Sequence, residues 1–224
     1  MMNPISTNTR ALRCMFLGVL LHAACLGNVL AQTMPEGMDH SQHNHQEMDH
    51  SMHNHEAMLS ANLKRSVVEL NVPATKLLRQ DGSAAIAQTE LTSGKPTIVA
   101  FIYTSCTTIC PLTSQIMREV QGLLGTSIEG TRMASISIDP EYDTPERLLA
   151  YAKKFDASPQ WTHYTGTLAN SVTVQKAFKA YQGDKMNHLP LIFINGGGKK
   201  TWVRLEGFPS AAQVVKELHD QVGG

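Results

Sequence analysis

The sequence lacks an excess of charge of either sign. Its 19 lysine and arginine residues balance 19 aspartate and glutamate residues, so the formal net charge at pH 7 is zero. There is also no polybasic run of the kind that binds the phosphates of a nucleic acid or an anionic membrane surface. These absences argue against nucleic acid as a partner.

Cysteine is scarce as well, with four residues in a chain of 224. Cys14 and Cys25 lie in an apolar N-terminal segment, so the rest of the chain has only Cys106 and Cys110. A disulfide across so short a loop would restrict the unfolded chain little. We therefore favour a redox couple or a metal-binding pair over a structural disulfide.

The N-terminal segment has the pattern of an export signal. Arg10 and Arg13 precede an apolar run that begins at Met15, and the run closes on the small-residue pattern ending at Ala31. This arrangement predicts a signal peptide over residues 1–31 and a periplasmic location for the mature protein. The alternative is an uncleaved segment that anchors the protein to the membrane.

The stretch over residues 38–58 lacks apolar periodicity and has almost no β-branched residues, so it cannot bury enough surface to offset its ordering entropy. It contains one histidine-rich unit written twice, and six of the ten histidines of the chain. Imidazole and thioether groups both bind copper. We therefore predict a disordered metal-binding tail over residues 32–62, with weak copper ligands at His40, His43, His45, His50, His53, His55, Met48 and Met52.

Strand and helix patterns alternate through residues 63–224, and an Asp-Gly pair at residues 81–82 indicates a hairpin turn. This order predicts the α/β class and a thioredoxin-like fold, with a central mixed sheet flanked by helices. In that fold Pro190 would follow a cis peptide bond and face the cysteine loop. The predicted strands cover residues 66–73, 97–103, 132–138, 161–164, 191–194 and 201–205. Four helices are predicted: two begin at Pro111 and Pro145, and two cover about residues 168–181 and 210–222.

The two cysteines are expected where ligands collect in open α/β sheets, because Cys106 ends a strand and Cys110 begins the next helix. The positive end of a helix dipole lowers the pKa of a thiol, and two thiolates four residues apart can hold a soft metal such as Cu(I). His188 is the expected third ligand, since its loop should face the cysteines. His163 is expected to be a structural histidine and His219 a surface residue.

The stretches over residues 103–111 and 139–145, together with the later His188, resemble the Sco/SenC family of copper chaperones. The resemblance covers about residues 66–224. It implies a thioredoxin-like domain that binds one copper ion, as Cu(I) or Cu(II), through Cys106, Cys110 and His188. Members of that family deliver copper to the CuA centre of a cytochrome c oxidase subunit, or reduce its cysteine pair beforehand. The stretch over residues 139–145 is expected to serve mainly as a strand exit and a helix cap.

Three hypotheses follow. The first is an exported copper chaperone whose partner is the oxidase CuA subunit or another periplasmic copper protein, more a metallochaperone than an enzyme. Its tail would collect copper and raise the local copper concentration near the domain through tethering. The second is a thiol-disulfide oxidoreductase that needs no metal, with a thioredoxin-like protein as a possible source of electrons. The third is a periplasmic protein of copper buffering or resistance that has no client.

Overall fold

The computed structural model describes residues 62–223, except for the side chains of residues 128 and 129. The predicted signal peptide and nearly all of the predicted tail lie outside the described residues. Within residues 62–223, no helix is both long and apolar enough to cross a membrane.

The chain alternates strands and helices, as the α/β prediction requires. The strands are β1 (Lys64–Glu69), β2 (Lys76–Arg79), β3 (Ala84–Ile86), β4 (Thr97–Ile102), β5 (Arg132–Ser137), β6 (Trp161–Thr165), β7 (Leu191–Asn195) and β8 (Thr201–Glu206). The helices are α1 (Ala87–Leu91), α2 (Ile109–Leu124), α3 (Pro145–Lys154), α4 (Leu168–Ala177) and α5 (Ala211–Gly223). Two 3-10 turns, Gly125–Gly130 and Lys185–Asn187, complete the elements.

The eight strands form one mixed sheet in the order β1-β8-β7-β4-β5-β6-β2-β3. Strand β4 is buried along its whole length, and it pairs in parallel with β5 and antiparallel with β7. The parallel pairs β4–β5 and β5–β6 need helical crossovers, which α2 and α3 supply. The sheet and its flanking helices confirm the predicted class. The edge beyond the β7–β8 hairpin is formed by β1, which pairs antiparallel with β8.

Three phenylalanines join the middle of the sheet to the end of α4. Phe101, Phe178 and Phe193 are fully buried, and their rings meet edge-on with centroids 5.1 to 6.0 Å apart. Edge-on contacts between buried aromatic rings add to the free energy gained from removing their surface from water. This cluster holds β4 rigidly just before the strand reaches the cysteine loop.

Several boundaries differ from the predictions. Strand β1 ends at Glu69 instead of residue 73, and α2 begins two residues before Pro111. Helix α4 ends at Ala177, well short of residue 181, because Lys179 adopts a positive φ of 55° that a right-handed helix cannot continue through. The cis peptide predicted before Pro190 is wrong, since no peptide bond of residues 62–223 is cis. The short helix α1 was not predicted.

Candidate metal centre

The loop with the two cysteines leaves the carboxyl end of β4 and enters α2. Cys106 is anchored by its backbone N–H, which donates to the carbonyl of Tyr103 at 3.2 Å. Cys110 is the second residue of α2, and Pro111 follows it in the first turn, where the missing N–H of proline costs no hydrogen bond. Both cysteines are free thiols. The site therefore lies where a parallel sheet and a helix N-terminus meet.

The pKa values of the two thiols are shifted in opposite directions although the residues are only four positions apart. The backbone N–H of Cys110 donates to Cys106 Sγ at 3.4 Å, and Thr108 Oγ1 lies 3.8 Å from the same sulfur. Burial raises the pKa of Cys106, but the N–H donors of Cys110 and Thr108 stabilise its thiolate more strongly and bring the pKa down to about 7. Cys106 is therefore about half ionised near neutral pH.

Cys110 behaves differently because its side chain is completely buried. Burial raises the pKa of the Cys110 thiol far above its usual value, and the neighbouring Cys106 raises it further. A position at the helix N-terminus was predicted to lower the thiol pKa, and for Cys110 this prediction is wrong. The pair consists of one reactive thiolate and one protonated thiol behind it.

A buried carboxylate holds the cysteine loop in place. Asp143 accepts hydrogen bonds from the hydroxyl of Thr104 at 2.5 Å, from the Thr104 backbone N–H at 3.2 Å and from the hydroxyl of Ser137 at 2.6 Å. Ser137 ends β5 and Thr104 follows β4, so Asp143 ties two neighbouring strand ends together. Thr104 is two residues from Cys106, and the carboxylate thereby positions the loop that carries the reactive thiol.

Asp143 lies in the stretch over residues 139–145 that was predicted to be mainly structural. The cap within that stretch is confirmed, because Thr144 Oγ1 accepts a hydrogen bond from the Arg147 N–H and Pro145 begins α3. The link from Asp143 to the cysteine loop was missed. The available signal was an acidic residue just after a strand that neighbours the strand leading into the cysteines.

His188 lies just after the 3-10 turn that precedes β7, and its side chain is largely buried. Strands β4 and β7 pair only as far as Ala100, and one residue later the Phe101 carbonyl lies 2.9 Å from His188 Nε2. A carbonyl only accepts, so Nε2 carries the proton and Nδ1 keeps its lone pair. Burial lowers the pKa of His188, which favours the neutral form that binds metals. The imidazole also lines a pocket of about 180 Å³.

Tyr103 connects the cysteine loop with the histidine loop. Its ring meets the ring of His188 edge-on with centroids 6.4 Å apart, and its hydroxyl lies 3.8 Å from Met186 Sδ. Burial raises the pKa of Tyr103 to about 12, and the adjacent Cys106 thiol raises it as well. The phenol is therefore protonated near neutral pH, where the Cys106 thiol ionises. Tyr103 was not predicted to be a functional residue.

Cys106, Cys110 and His188 thus lie on the two loops that Tyr103 connects, at the same end of the sheet. Residues 62–223 nevertheless contain no group of three or more His, Cys, Asp or Glu side chains already arranged to hold a metal ion. The donor types fit copper, because two sulfurs and a neutral imidazole with a free Nδ1 are the ligands that Cu(I) and Cu(II) share. The His188 contact with Phe101 is the type of hydrogen bond that orients a ligating histidine. To bind one metal ion together, the three donors would have to come closer through a movement of the His188 loop or the cysteine loop.

The two other histidines of the described chain are not near this site. His163 is fully buried in β6, where its Nδ1 lies 3.2 Å from Gln80 Oε1, and burial lowers its pKa to about 3. It is a core histidine as predicted, although its Nε2 has no hydrogen-bond partner among the described residues. His219 lies on the exposed side of α5. The predicted tail ligands are outside the described residues.

The fold and the thiol pair define a thioredoxin-like protein with two unequal cysteines at the end of a central strand. A family profile described as SCO1/SenC matches residues 73–222, and the chain belongs to this family. The SCO1 protein homolog of Bacillus subtilis (strain 168) is 33% identical over 94 residues, which cover 41% of this chain and 49% of that protein. The matched segments span about half or less of the curated relatives.

Two solved structures show the same fold. Bradyrhizobium japonicum ScoI with copper bound superposes with a TM-score of 0.55 at 24% identity, over 67% of this chain and 99% of that one. BsSco, a member of the Sco family of cytochrome c oxidase assembly proteins, superposes with a TM-score of 0.58 at 23% identity, over 70% of this chain and 95% of that one. These superpositions confirm the predicted fold.

The unequal thiols predict a pH profile for alkylation. With Cys110→Ser, the backbone N–H at position 110 remains, so the rate of iodoacetamide reaction at Cys106 should rise with a midpoint near pH 7. With Cys106→Ser, the remaining Cys110 should react only under strongly alkaline conditions, because its burial disfavours the thiolate. A midpoint near the ordinary thiol pKa of about 8.5 in the Cys110→Ser protein would contradict the hydrogen-bonded thiolate.

Proposed function

We propose that this protein is an exported copper chaperone that binds one copper ion through Cys106, Cys110 and His188. Its client is the CuA site of a cytochrome c oxidase subunit, to which it delivers copper. The observation that carries the proposal is that an ionisable thiol and a second thiol lie on one loop, which Tyr103 connects to the loop of the neutral His188 imidazole. Family membership, the copper-bound ScoI structure and the oxidase-assembly description of BsSco support it.

The chemistry of the three donors suits a cargo that must be held and then released. Cys106 offers a thiolate near neutral pH, whereas Cys110 must lose its proton when a metal binds. Thiolates favour Cu(I), and the imidazole of His188 adds the harder donor that Cu(II) needs. Because the second thiolate is costly in its buried position, reprotonation of Cys110 provides a route by which copper can leave for a client.

A second function is favoured by the acidity difference itself. The Cys106 thiolate can attack a client disulfide, which forms a mixed disulfide and releases one client thiolate. Attack by Cys110 on Cys106 Sγ, with loss of the Cys110 proton, then releases the second client thiol and leaves a Cys106–Cys110 disulfide. A thioredoxin-like dithiol would reset the pair. The disulfide switch described for BsSco supports a redox function of this kind, which would prepare the client for copper.

The histidine-rich tail fits the same proposal. Its six histidines and two methionines, which lie outside the described residues, would collect copper weakly and supply it to the domain. Export through the signal of residues 1–31 would bring the protein to the periplasm, where an oxidase subunit can be reached. A protein that only buffers copper would need the tail but no ordered thiol site.

Copper titration of the mature chain tests the domain site. Cu(II) bound by two thiolates should absorb intensely in the visible through sulfur-to-copper charge transfer, and Cys106→Ser or Cys110→Ser should abolish this band. Loss of the hydrogen-bond partner of a metal ligand lowers metal affinity roughly 10–100-fold. His188→Ala removes the ligand itself, so it should lower the affinity for Cu(II) at least as much. His219→Ala is the matched control and should behave as the parent. A full band in either cysteine variant, or unchanged affinity in His188→Ala, would refute the ligand set.

Removal of residues 35–58 separates the tail from the domain. We expect the shortened protein to lose the additional copper equivalents and to keep the visible band, because the thiol site does not use tail residues. Copper on the tail should be released below about pH 6 as the histidines protonate. A chain of full length with its six tail histidines changed to asparagine serves as the length control. If removal of the tail erased the band, the tail would have to supply the missing ligand.

A further inference from the structure

Met186 is an exposed thioether in the loop that carries His188. Its side chain is 74% exposed, the largest exposed fraction among the large apolar side chains of the described residues. It lies in the 3-10 turn Lys185–Asn187, two residues before His188. Single exposed apolar residues are common on protein surfaces, so exposure by itself assigns no role. The position of the sulfur is more informative.

The sulfur of Met186 is held against the candidate metal centre. The Tyr103 hydroxyl donates to Met186 Sδ at 3.8 Å, while the ring of Tyr103 packs against His188 and the Cys106 thiol lies beside the same hydroxyl. A thioether sulfur has two lone pairs, and the hydroxyl uses one of them. The other lone pair remains available on an otherwise exposed side chain. Tyr103 therefore connects an exposed soft donor to the loop that carries the thiols.

The charges around Met186 allow a cation to approach. The adjacent amine of Lys185 is 2.5 Å from Asp139 Oδ2, so an ion pair compensates the nearest positive charge. Asp184 accepts a hydrogen bond from the Met186 backbone N–H and adds a carboxylate to the same turn. A thioether is neutral and has no proton to lose, so it can bind Cu(I) without releasing a proton.

We propose that Met186 is the entry ligand through which Cu(I) reaches the thiols, an inference that rests on the proposed copper function. Met186 Sδ binds the ion first, and the copper–thioether bond breaks as the bond to the Cys106 thiolate forms. Copper remains Cu(I) throughout. When Cys110 Sγ joins, its proton passes to solvent. The departing thioether returns to the hydroxyl of Tyr103.

The test is the rate of copper uptake by the mature chain, measured without oxygen by stopped-flow. Cu(I) is supplied as its acetonitrile complex and followed by the ultraviolet absorption of copper–thiolate bonds, which tail imidazoles and thioethers lack. Met186→Leu keeps the size and apolarity of the side chain but removes the sulfur. Its copper uptake should be about tenfold slower, because the ion would no longer be captured near the thiols before it binds to them. The final absorption should still correspond to one equivalent.

Asn187→Ala changes a neighbouring exposed side chain of the same turn and should take up copper at the parental rate. A Cys106→Ser, Cys110→Ser double variant, in which copper cannot move on to the thiols, gives a second readout: in methyl-labelled protein, the methionine NMR signal that is missing after Met186→Leu should shift when Cu(I) is added. Equal uptake rates for Met186→Leu and Asn187→Ala would overturn the entry role. A reduced final absorption in Met186→Leu would also overturn it, because Met186 would then be a permanent ligand. If the parent chain showed no copper–thiolate absorption, the proposed copper function would fail, and the entry role with it.

Discussion

The buried carboxylate of Asp143 connects the ends of the two central parallel strands, and the position of the reactive cysteine depends on it. No ion pair involves this carboxylate within residues 62–223, and the hydroxyls of Ser137 and Thr104 and the Thr104 amide are its donors. A buried carboxylate is costly unless such donors satisfy it. Since these donors come from both strand ends, loss of the carboxylate would release the loop two residues before Cys106.

The second constraint is the direction of the backbone at the start of α2. The Cys110 N–H points at Cys106 Sγ, so the same residue acidifies its partner through its amide and keeps its own thiol protonated through burial. One sulfur is therefore ready to react while the other responds only when a metal or a mixed disulfide is present. This arrangement explains how a single pair can serve both copper binding and disulfide reduction in the proposed function.

Much of the fold could be predicted from local patterns. The continuous apolar run of β4 and the Asp-Gly turn between β2 and β3 are determined by residues close in sequence, and both were predicted correctly. The end of α4 and the peptide before Pro190 were predicted wrongly, because they depend on how the loop between α4 and β7 packs. Local sequence does not reveal that packing.

The placement of the two cysteines at the end of β4 and the start of α2 could be predicted from the sequence, but the pKa values of their thiols could not. The spacing of Cys106 and Cys110 and the position of His188 follow from strand and loop order. The raised pKa of Cys110 could not be predicted from a helix dipole, because it comes from the tertiary packing that buries the thiol. The role of Asp143 likewise depends on the parallel register of β4 and β5, and that of Tyr103 on the approach of the His188 loop.

The most direct test of the proposed copper site is X-ray absorption at the copper edge, measured on the mature chain with one equivalent of Cu(II). Copper held by Cys106, Cys110 and His188 predicts two sulfur scatterers and at least one imidazole nitrogen, with the sulfur scattering reduced in Cys106→Ser. A spectrum with nitrogen and oxygen scatterers alone would place the metal on the tail histidines and contradict the thiol site.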